Sequence, residues 1–470
     1  MPYVPPTADT TEDEMYTVFK QYVKQSFKKF YHTKLGQICW QKFAVVVNRP
    51  FIKHALQKAL NIHYANNASG QEKNIIPVDI NAVGYTKNAL VIFPFWGYDA
   101  TTFNIMSMCS SLRKLGYAIH AILYNDSDYS PSSESWDYIY TIKASHENFG
   151  KWNIHQNSSG LNRNRIDDWA GEELTQFVKG ISKFFDFQIC LCHYVFLSKA
   201  FETLPPDVFK ILYTHDIFWN RNVRMANEGV PERDFYFSVS AEEEAVGLRR
   251  ADLVLAVQEE ERKYFVTLVG EDRASTLPYV PEKNYQPGRE NPSPLVVGYI
   301  ASGHAPNVKA LQVFCEHFPG RSDVIVLIAG SICSRLDGIA FSKKVTLLGI
   351  VENLSGFYAS CDVLINPDTL RSGLKVKCVE ALSYGKPLVC TDAASAGIGV
   401  REPYHLVPDI AGCAEHIERI ADNPRLLADM AAESRRVYDA FAEKYSSYEA
   451  FRSYDRAARA KRLAFAPERR

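Results

Sequence analysis

The chain has 470 residues and a mass of 53.2 kDa, which predicts two or three domains rather than one small module. Its composition is 46% hydrophobic, 23% charged and 13% aromatic, which excludes a disordered chain, a collagen and a coiled coil. With 53 basic and 54 acidic side chains the formal net charge is -1, so the composition gives no reason to expect nucleic-acid binding.

The amino-terminal segment is basic. Residues 15–60 carry nine Lys and Arg side chains and no Asp or Glu, and aromatic side chains recur at three- and four-residue steps beside a separate row of lysines. Such an amphipathic helix suits the surface of an anionic membrane. It equally fits a helix that packs on its own domain with a solvated lysine edge. We assign residues 1–83 to this basic extension.

The beginning of the chain lacks a signal-peptide pattern, and no stretch approaches 18 uninterrupted apolar residues. We therefore expect a cytoplasmic protein, with peripheral attachment to the inner face of the membrane if the basic segment binds lipid. The ten cysteines show no spacing typical of zinc or of a C-x-x-C pair. We expect Cys190 and Cys192 to be buried, reduced thiols of one strand.

Residues 84–290 show short apolar runs separated by helical patterns, which is typical of βαβ units with a parallel sheet. A helix is predicted over residues 102–115. The predicted strands cover residues 90–93, 118–124, 187–192, 210–213 and 253–257. These elements predict one doubly wound domain.

A proline-rich linker at residues 281–294 precedes a second unit of the same kind, residues 291–430. Helices are predicted over residues 308–318 and 375–384. The predicted strands cover residues 295–300, 324–329, 345–348, 363–366 and 387–391. Two α/β domains imply a cleft in which a ligand binds. Residues 431–470 are predicted to form helices that pack back on the first domain.

The loop and helix after the strand at 363–366 carry most of the candidate chemistry. Arg371, Lys375 and Lys377 place three positive charges around Gly373, where the free amides of a helix start favour a phosphate group. Glu380 lies three residues beyond Lys377 and could accept hydrogen bonds from two sugar hydroxyls. An ordinary loop and helix with a solvated Lys/Glu pair is the alternative.

The sequence from Ser372 to Val389 resembles the nucleotide-sugar signature of retaining glycosyltransferases of the family-4 type (glycosyl transferases group 1), which adopt the GT-B fold. Supporting segments around His304-Ala305-Pro306-Asn307, Gly349-Ile350 and His215-Asp216 follow in the family's order. The first-domain segments are similar to the bacterial surface-polysaccharide type. The resemblance covers roughly residues 90–398.

The resemblance implies a set of donor-binding roles. Glu380 would bind the ribose of the donor, and Arg371, Lys375 and Lys377 would neutralise its diphosphate. Backbone at Gly349 and Ile350 would face the base. The remaining donor-binding residues implied are Gly303, His304, Asn307, Ser372, Gly373 and Leu374. Ser372 stands where the family often has a second glutamate, eight residues before Glu380.

The first domain would face the acceptor. His215 follows the strand at 210–213 and could accept a proton from the acceptor or hydrogen-bond the donor sugar, with Asp216 orienting it. A helix cap at Asp216 is the alternative. Arg221 could contact a phosphate or the acceptor, or form a surface ion pair. The acceptor side is further assigned to Trp96, Gly97, Tyr98 and Asp99.

The resemblance implies a retaining glycosyltransferase that moves a sugar from a UDP- or GDP-sugar to a glycan or lipid-linked acceptor in surface polysaccharide biosynthesis. We expect no cofactor and no metal, because the only Asp-x-Asp pattern, Asp126-Ser127-Asp128, lies in the first domain. The alternatives are a sugar-nucleotide epimerase on the same scaffold and a non-catalytic protein that binds nucleotide sugars.

Overall fold

The computed structural model describes eight segments, residues 87–95, 100–125, 136–144, 155–156, 162–318, 320–336, 344–400 and 403–465. The expectations for the basic extension and for Trp96, Gly97, Tyr98 and Asp99 lie outside these residues. No helix of the described part is long and apolar enough to cross a membrane.

The first domain is built on a seven-stranded sheet in which every pair of neighbouring strands is parallel. Its strands are β1 (Lys87–Phe93), β2 (Tyr117–Asn125), β3 (Tyr138–Lys143), β6 (Phe187–His193), β7 (Phe209–Tyr213), β8 (Leu253–Ala256) and β9 (Ala274–Thr276), and β4 (His155–Gln156) pairs antiparallel with β5 (Asn162–Arg163) outside the sheet. The strand order is β3-β2-β1-β6-β7-β8-β9, so the winding direction reverses between β1 and β6. The central strands are mostly apolar and almost wholly buried because both faces of such a sheet are covered.

The helices of this domain are α1 (Ala100–Lys114), α2 (Glu172–Ile181), α3 (Arg221–Asn227), α4 (Ala241–Arg249) and α5 (Glu259–Val269), with 3-10 turns at Val195–Thr203, Glu232–Asp234 and Glu271–Arg273. Ser240 caps α4, since its hydroxyl accepts a hydrogen bond from the Glu243 amide at 3.2 Å. The acidic residues that follow Ser240 therefore occupy the first turn of α4, where the helix dipole favours negative charge.

The second domain repeats the plan with six parallel strands. They are β10 (Leu295–Ile300), β11 (Val324–Ala329), β12 (Val345–Gly349), β13 (Val363–Asn366), β14 (Leu388–Thr391) and β15 (Leu406–Val407). The order β12-β11-β10-β13-β14-β15 places the reversal between β10 and β13. The helices are α6 (Ala305–His317), α7 (Leu354–Ser360), α8 (Val376–Ser383) and α9 (Ile410–Asp422), with 3-10 turns at Ser331–Arg335 and Ala393–Ser395.

Two long helices end the described chain, α10 (Leu426–Lys444) and α11 (Ser447–Phe465). Tyr438 and Phe441 of α10 are buried in the core beside α8, in the second domain. Phe451 and Ala458 of α11 are fully buried in the core of the first domain. The end of the chain therefore crosses from one domain to the other and packs on both.

The predicted fold class, two doubly wound α/β domains, is confirmed. The sequence did not predict β3, β9 and β15. Each of these is an edge strand, which pairs with only one neighbour. In addition, β3 is only half-buried, so its sequence lacks the continuous apolar run that marked the central strands. Cys190 and Cys192 are buried free thiols in β6.

Candidate functional site

The candidate site lies at the carboxyl ends of β10 and β13, where the strand order of the second sheet reverses. The loops that leave adjoining strands in opposite directions open a crevice at this point of a doubly wound sheet. Residues 301–304 follow β10, and residues 367–375 follow β13. The polar residues predicted from the sequence in these two loops are therefore brought to one edge.

Two lysines and one aspartate form a charged cluster in the loop after β13 and the first turn of α8. The carboxyl oxygen Oδ2 of Asp368 lies 3.6 Å from Nζ of Lys375 and 4.0 Å from Nζ of Lys377. Asp368 is 5% exposed. Burial alone would raise its pKa, but the two ammonium groups outweigh that effect and lower it. One carboxylate thus holds two like charges together and leaves a net positive charge for an anion.

Lys377 joins the two loops of the crevice. Its Nζ donates a hydrogen bond to Oδ1 of Asn307 at 2.6 Å and lies 5.2 Å from the centre of the Tyr299 ring. Burial lowers the pKa of Lys377, an effect that Asp368 opposes. Asn307 is itself fixed, because its amide donates to the Ser302 carbonyl at 3.1 Å. The ammonium group is therefore positioned before any ligand arrives.

Gly303 and His304 complete the edge on the β10 side. The Gly303 amide donates to the Ser331 hydroxyl at 3.0 Å. A side chain at position 303 would meet the Arg335 side chain at 3.0 Å, so the backbone approaches its neighbours closely there. His304 immediately precedes α6, and burial, followed by the nearby Arg221, lowers its pKa to about 4. His304 is therefore neutral at physiological pH.

The turn at Gly373 is where the two domains meet. Gly373 adopts a φ of +70°, and a Cβ there would lie 3.5 Å from the His215 carbonyl oxygen of the first domain. Leu374 packs against the cores of both domains. Lys375 Nζ donates to the Ser372 carbonyl at 2.6 Å, which ties the turn to the charged cluster. Residues from both domains therefore face one another across this turn.

Glu380 is held by tyrosines. Its Oε2 accepts a hydrogen bond from the Tyr358 hydroxyl at 3.0 Å, and the Tyr358 ring stacks on Tyr384 with 4.3 Å between centres. Burial raises the pKa of Glu380 to about 7, against a smaller lowering by Tyr358. Only Oε2 is engaged by that bond, so a carboxyl group that can bind hydroxyls lies on the second turn of α8.

His215 forms a pair with His193, a residue that the sequence analysis did not single out. Nε2 of His215 lies 2.9 Å from Nδ1 of His193, and the Tyr194 ring stacks on His215 with 4.2 Å between centres. Burial lowers the pKa of both imidazoles, to about 3 for His193 and well below the usual range for His215, where His193 adds to the effect. Both rings are neutral, so His215 is better suited to hydrogen bonding than to storing a proton.

Asp216 and Arg221 form an ion pair beside this histidine. Nε of Arg221 lies 2.9 Å from Oδ2 of Asp216, and Arg221 is largely buried. Asp216 does not cap α3, since the residue before that helix is Asn220 and makes no side-chain capping bond. The ion pair of Arg221 is therefore buried and does not lie on the surface. The charge of Arg221 also lowers the pKa of His304 in the other domain.

The structure also places four other predicted donor-side positions, Arg371, Gly349, Ile350 and Ser372. Arg371 pairs with Asp392, and both side chains are largely exposed. Gly349 ends β12 with a φ of +69°, and Ile350 after it is 65% exposed. Ser372 lies within the turn, but its hydroxyl is buried and has no hydrogen-bond partner among the described residues.

Sequence reasoning did not single out Asp368, Glu261, His193 or Tyr358. Asp368 could have been found, because it lies two residues after β13 and within the basic loop. Glu261 and His193 gave no such signal, since they contact residues 112 and 22 positions away, respectively. No group of three or more His, Cys, Asp or Glu that could hold a metal ion occurs among the described residues.

Comparison with protein families places a match on the second domain. Residues 294–423 match the model of the family described as glycosyl transferases group 1. This segment contains both loops of the crevice and α8, and therefore Asn307, Lys377 and Glu380. A comparison with curated protein sequences finds no match.

Solved structures resemble the chain over both domains. Sucrose-phosphate synthase from Thermosynechococcus elongatus aligns with a TM-score of 0.60 and 14% identity over 80% of this chain and 100% of that chain. The pneumococcal O-GlcNAc transferase GtfA, in complex with UDP and GlcNAc, gives 0.56 and 12% over 79% and 99%. Anabaena HepE, in complex with UDP and glucose, gives 0.54 and 12% over 80% and 100%. At these identities the likeness shows the fold, which is the two-domain GT-B fold.

Proposed function

We propose that this protein is a glycosyltransferase that moves a sugar from a nucleoside diphosphate sugar to the hydroxyl group of a glycan or lipid-linked acceptor. The observation that carries the proposal is the cluster of Lys375, Lys377 and Asp368 at the strand reversal of the second sheet, opposite His215 of the first domain. The family match over residues 294–423, the UDP and GlcNAc in the GtfA complex and the UDP and glucose in the HepE complex support the same class of substrate.

The proposed chemistry assigns the diphosphate to the lysine cluster. Breaking the bond between sugar and phosphate leaves negative charge on the departing diphosphate and positive charge at the anomeric carbon. Cations that are already fixed stabilise this anion without reorganising, which is usually the largest contribution to the rate. Lys377 is fixed by Asn307, and Lys375 by the Ser372 carbonyl. Arg371 would join them only by leaving Asp392.

Glu380 is proposed to bind the ribose of the donor. A carboxylate accepts hydrogen bonds from two neighbouring hydroxyls, and the Tyr358 hydroxyl holds Glu380 in place for this contact. Gly349 and Ile350 are proposed to face the base, and Gly303 and His304 to face the phosphates. The exposed position of Ile350 supports that assignment.

His215 is proposed to hydrogen-bond the transferred sugar or the acceptor hydroxyl, since its low pKa makes it a weak base. His193 occupies Nε2 of His215, so Nδ1 is the ring nitrogen that can face substrate. Asp216 and Arg221 are proposed to line the acceptor side. We propose no metal requirement, because the lysine cluster can offset the leaving-group charge. We also propose retention of anomeric configuration, which the resemblance to the family-4 type implies.

The proposal is tested by product analysis. The purified protein is incubated with UDP- and GDP-sugars and candidate saccharide acceptors, with and without EDTA, and products are analysed by mass spectrometry and NMR. We expect one donor to give an acceptor-linked sugar of unchanged anomeric configuration, also in EDTA. Conversion of the sugar nucleotide without an acceptor would instead identify an epimerase.

Replacement of Lys377 tests the assigned site. We expect Lys377→Gln to lower kcat at least about 100-fold, since a fixed charge on the leaving group is lost. Lys309→Ala, at an exposed lysine of α6, is the control and should keep the wild-type rate. Equal activity of the two variants would contradict the assigned diphosphate site.

A membrane partner is proposed for residues 15–60 on the basis of their nine basic side chains. Each Lys or Arg near an anionic surface contributes about 1 kcal/mol, an attraction that salt screens. We expect the full chain, but not the chain lacking residues 1–60, to sediment with phosphatidylserine vesicles at low salt. Equal sedimentation of both chains would assign this segment to packing on its own protein.

A further inference from the structure

Trp219 is the one exposed residue of the loop between β7 and α3, residues 214–220, all of which the structure describes. It is 38% exposed, whereas Phe218 before it is 1% exposed. The Trp219 ring stacks on Tyr264 of α5, with 5.5 Å between the ring centres and 12° between the ring planes. Because Tyr264 covers one face of the indole, the exposed area belongs to the opposite face and the edges. The loop therefore presents one flat aromatic face to solvent.

A buried carboxyl group holds Trp219 in this position. Glu244 of α4 is fully buried. Its Oε1 accepts a hydrogen bond from the Phe218 amide at 2.7 Å, and its Oε2 accepts from the Trp219 amide at 3.2 Å and from the Tyr264 hydroxyl at 2.9 Å. Arg224 donates to the Trp219 carbonyl at 2.7 Å. One buried side chain therefore fixes both the backbone of Trp219 and the ring on which Trp219 stacks.

Both ends of the loop adopt unusual backbone conformations. His215 has a φ of +64° and Asn220 a φ of +51°, in the left-handed region that residues other than glycine rarely occupy. Such conformations cost free energy and persist where the surrounding structure enforces them, most often at functional sites. The Trp219 ring is therefore ordered before a ligand arrives, so binding on it costs little conformational entropy.

The loop lies at the cleft, on the side assigned to the acceptor. Asp216 and Arg221, which flank Trp219 along the chain, form an ion pair at 2.9 Å. Burial lowers the pKa of His304 in the second domain, and Arg221 and Asp216 act on the same imidazole in opposite directions. Trp219 lies only a few residues beyond His215, and a chain of that length spans at most about 14 Å. A ring bound on Trp219 is therefore within the length of a short saccharide from the reacting hydroxyl.

The surroundings of this ring favour a sugar over a lipid chain. The face of an aromatic ring carries partial negative charge and attracts the C–H groups of a sugar face, while the sugar hydroxyls stay in water. A lipid chain would need a longer apolar surface. Trp219 is the only exposed large apolar side chain among the described residues 214–240, and Asn220 and Arg224 beside it are polar.

We propose that Trp219 stacks on a sugar ring of the acceptor that lies beyond the ring receiving the transferred sugar, so that the acceptor is an oligosaccharide chain and not a monosaccharide. This inference rests on the proposed function of the site and narrows its acceptor to one class. His215 is assigned to the reacting end of the acceptor, and Trp219 adds a second contact further along the same chain. Glu244 supports this contact only through the backbone of Trp219 and through Tyr264.

The test separates glycan binding from nucleotide binding. The full chain is titrated on a glycan microarray that carries mono- to hexasaccharides of neutral and acidic sugars, in the presence of UDP or GDP. We expect wild type to bind one type of chain, and the corresponding monosaccharide at least about 10-fold more weakly. Trp219→Ala should bind that chain at least about 10-fold more weakly than wild type, as for loss of an aromatic anchor, and should bind the nucleotide within about twofold in titration calorimetry.

Two further substitutions show whether the flat ring itself is required. Trp219→Phe keeps an aromatic face and should stay within about fivefold of wild type. Trp219→Leu keeps an apolar cover over Tyr264 without a ring face and should lose as much as Trp219→Ala, also if circular dichroism shows that the alanine variant does not fold. Phe184→Ala is the matched control, at an aromatic side chain that is 44% exposed before β6, at the opposite edge of the sheet from His215. It should bind glycans as wild type does.

Full glycan binding by Trp219→Ala or Trp219→Leu would overturn the inference. So would a wild type that binds no glycan, or that binds monosaccharides as tightly as chains. These results leave the proposed function standing as long as UDP or GDP binds. If wild type binds neither nucleotide, the proposed function itself fails and the inference fails with it.

Discussion

Glu380 is a partly buried carboxyl group whose protonation decides what it can bind. Burial raises its pKa to about 7, so the group is largely neutral at pH 6 and largely a carboxylate at pH 8. Two ribose hydroxyls donate hydrogen bonds, and the carboxylate accepts them better than the acid does. We expect the affinity for the nucleoside diphosphate to rise about 3- to 10-fold between pH 6 and pH 8, measured by titration calorimetry.

The ligand also titrates in this range, since a terminal phosphate has a pKa near 6. Glu380→Gln separates the two effects because it cannot ionise but preserves the shape of the side chain. The variant should bind about 10-fold more weakly than wild type at pH 8 and show only the pH dependence of the ligand. The same pH dependence in wild type and variant would show that Glu380 does not contact the ribose.

Which residues could be assigned from sequence depended on where they stand along the strands. Asn307 and Lys377 were both predicted, and they meet at 2.6 Å because they follow β10 and β13, which are adjacent in the sheet. His215 was predicted in the same way, at the end of β7. Its partner His193 was not, because an imidazole at the end of a buried strand does not reveal which side chain it faces.

At the scale of elements, the sequence predicted buried strands best and edge strands worst. The strands β1, β2, β10 and β11 were predicted from their apolar runs, which arise because both faces of a parallel sheet are covered. The edge strand β3 is half-buried along most of its length and carries no such run. The start of α6 also differs from the predicted one: the helix begins at Ala305, with Pro306 in its first turn, and not at residue 308.

The turn after β11 depends on one glycine. Gly330 has a φ of +98°, and a Cβ there would lie 2.2 Å from the Ala301 carbonyl oxygen, which belongs to the backbone and cannot move aside. The Gly330 amide also donates a hydrogen bond to the Gly349 carbonyl oxygen at 2.7 Å, which fixes the turn to the end of β12. We expect Gly330→Ala to lower the free energy of unfolding by about 2–4 kcal/mol, measured by urea denaturation.

Gly399 offers a control in the same domain. Its φ is +83°, but a Cβ there would meet nothing within 4 Å. Gly399→Ala should therefore cost only the strain of a left-handed residue, about 1 kcal/mol. Equal destabilisation by the two substitutions would mean that backbone strain alone, and not the contact with Ala301, constrains the turn at Gly330.

At the scale of the whole molecule, the order of elements along the chain predicted two domains and a cleft, but not the contacts that join them. The pairing of Glu261 with Gly373 links residues 112 positions apart in different domains. Neither residue's neighbours in sequence indicate the other, and an acidic residue in a first helical turn ordinarily serves the helix dipole. Such long-range polar contacts become visible only when both sheets are placed.

The same holds for α11, which returns to the first domain and is anchored there by Asp455. Oδ1 of Asp455 accepts hydrogen bonds from Lys87 Nζ at 2.9 Å and from the Tyr117 hydroxyl at 2.7 Å. Burial alone would raise the pKa of Asp455, but Lys87 and Tyr117 outweigh it and lower the pKa. We expect Asp455→Asn to lower the free energy of unfolding at pH 7 by about 1–3 kcal/mol, because the partly buried ammonium group of Lys87 loses its partner.

The pH dependence of that loss distinguishes the ion pair from packing. A carboxyl group whose pKa is lowered by folding stabilises the protein above its unfolded pKa of about 4, and this stabilisation disappears as the pH falls through the lower folded value. Urea denaturation should therefore show a gap between wild type and Asp455→Asn that is full at pH 7 and narrows below about pH 4. Asp272→Asn, at an exposed aspartate, should match wild type throughout. A gap that stays constant with pH would attribute the effect of Asp455 to its shape and not to its ion pair with Lys87.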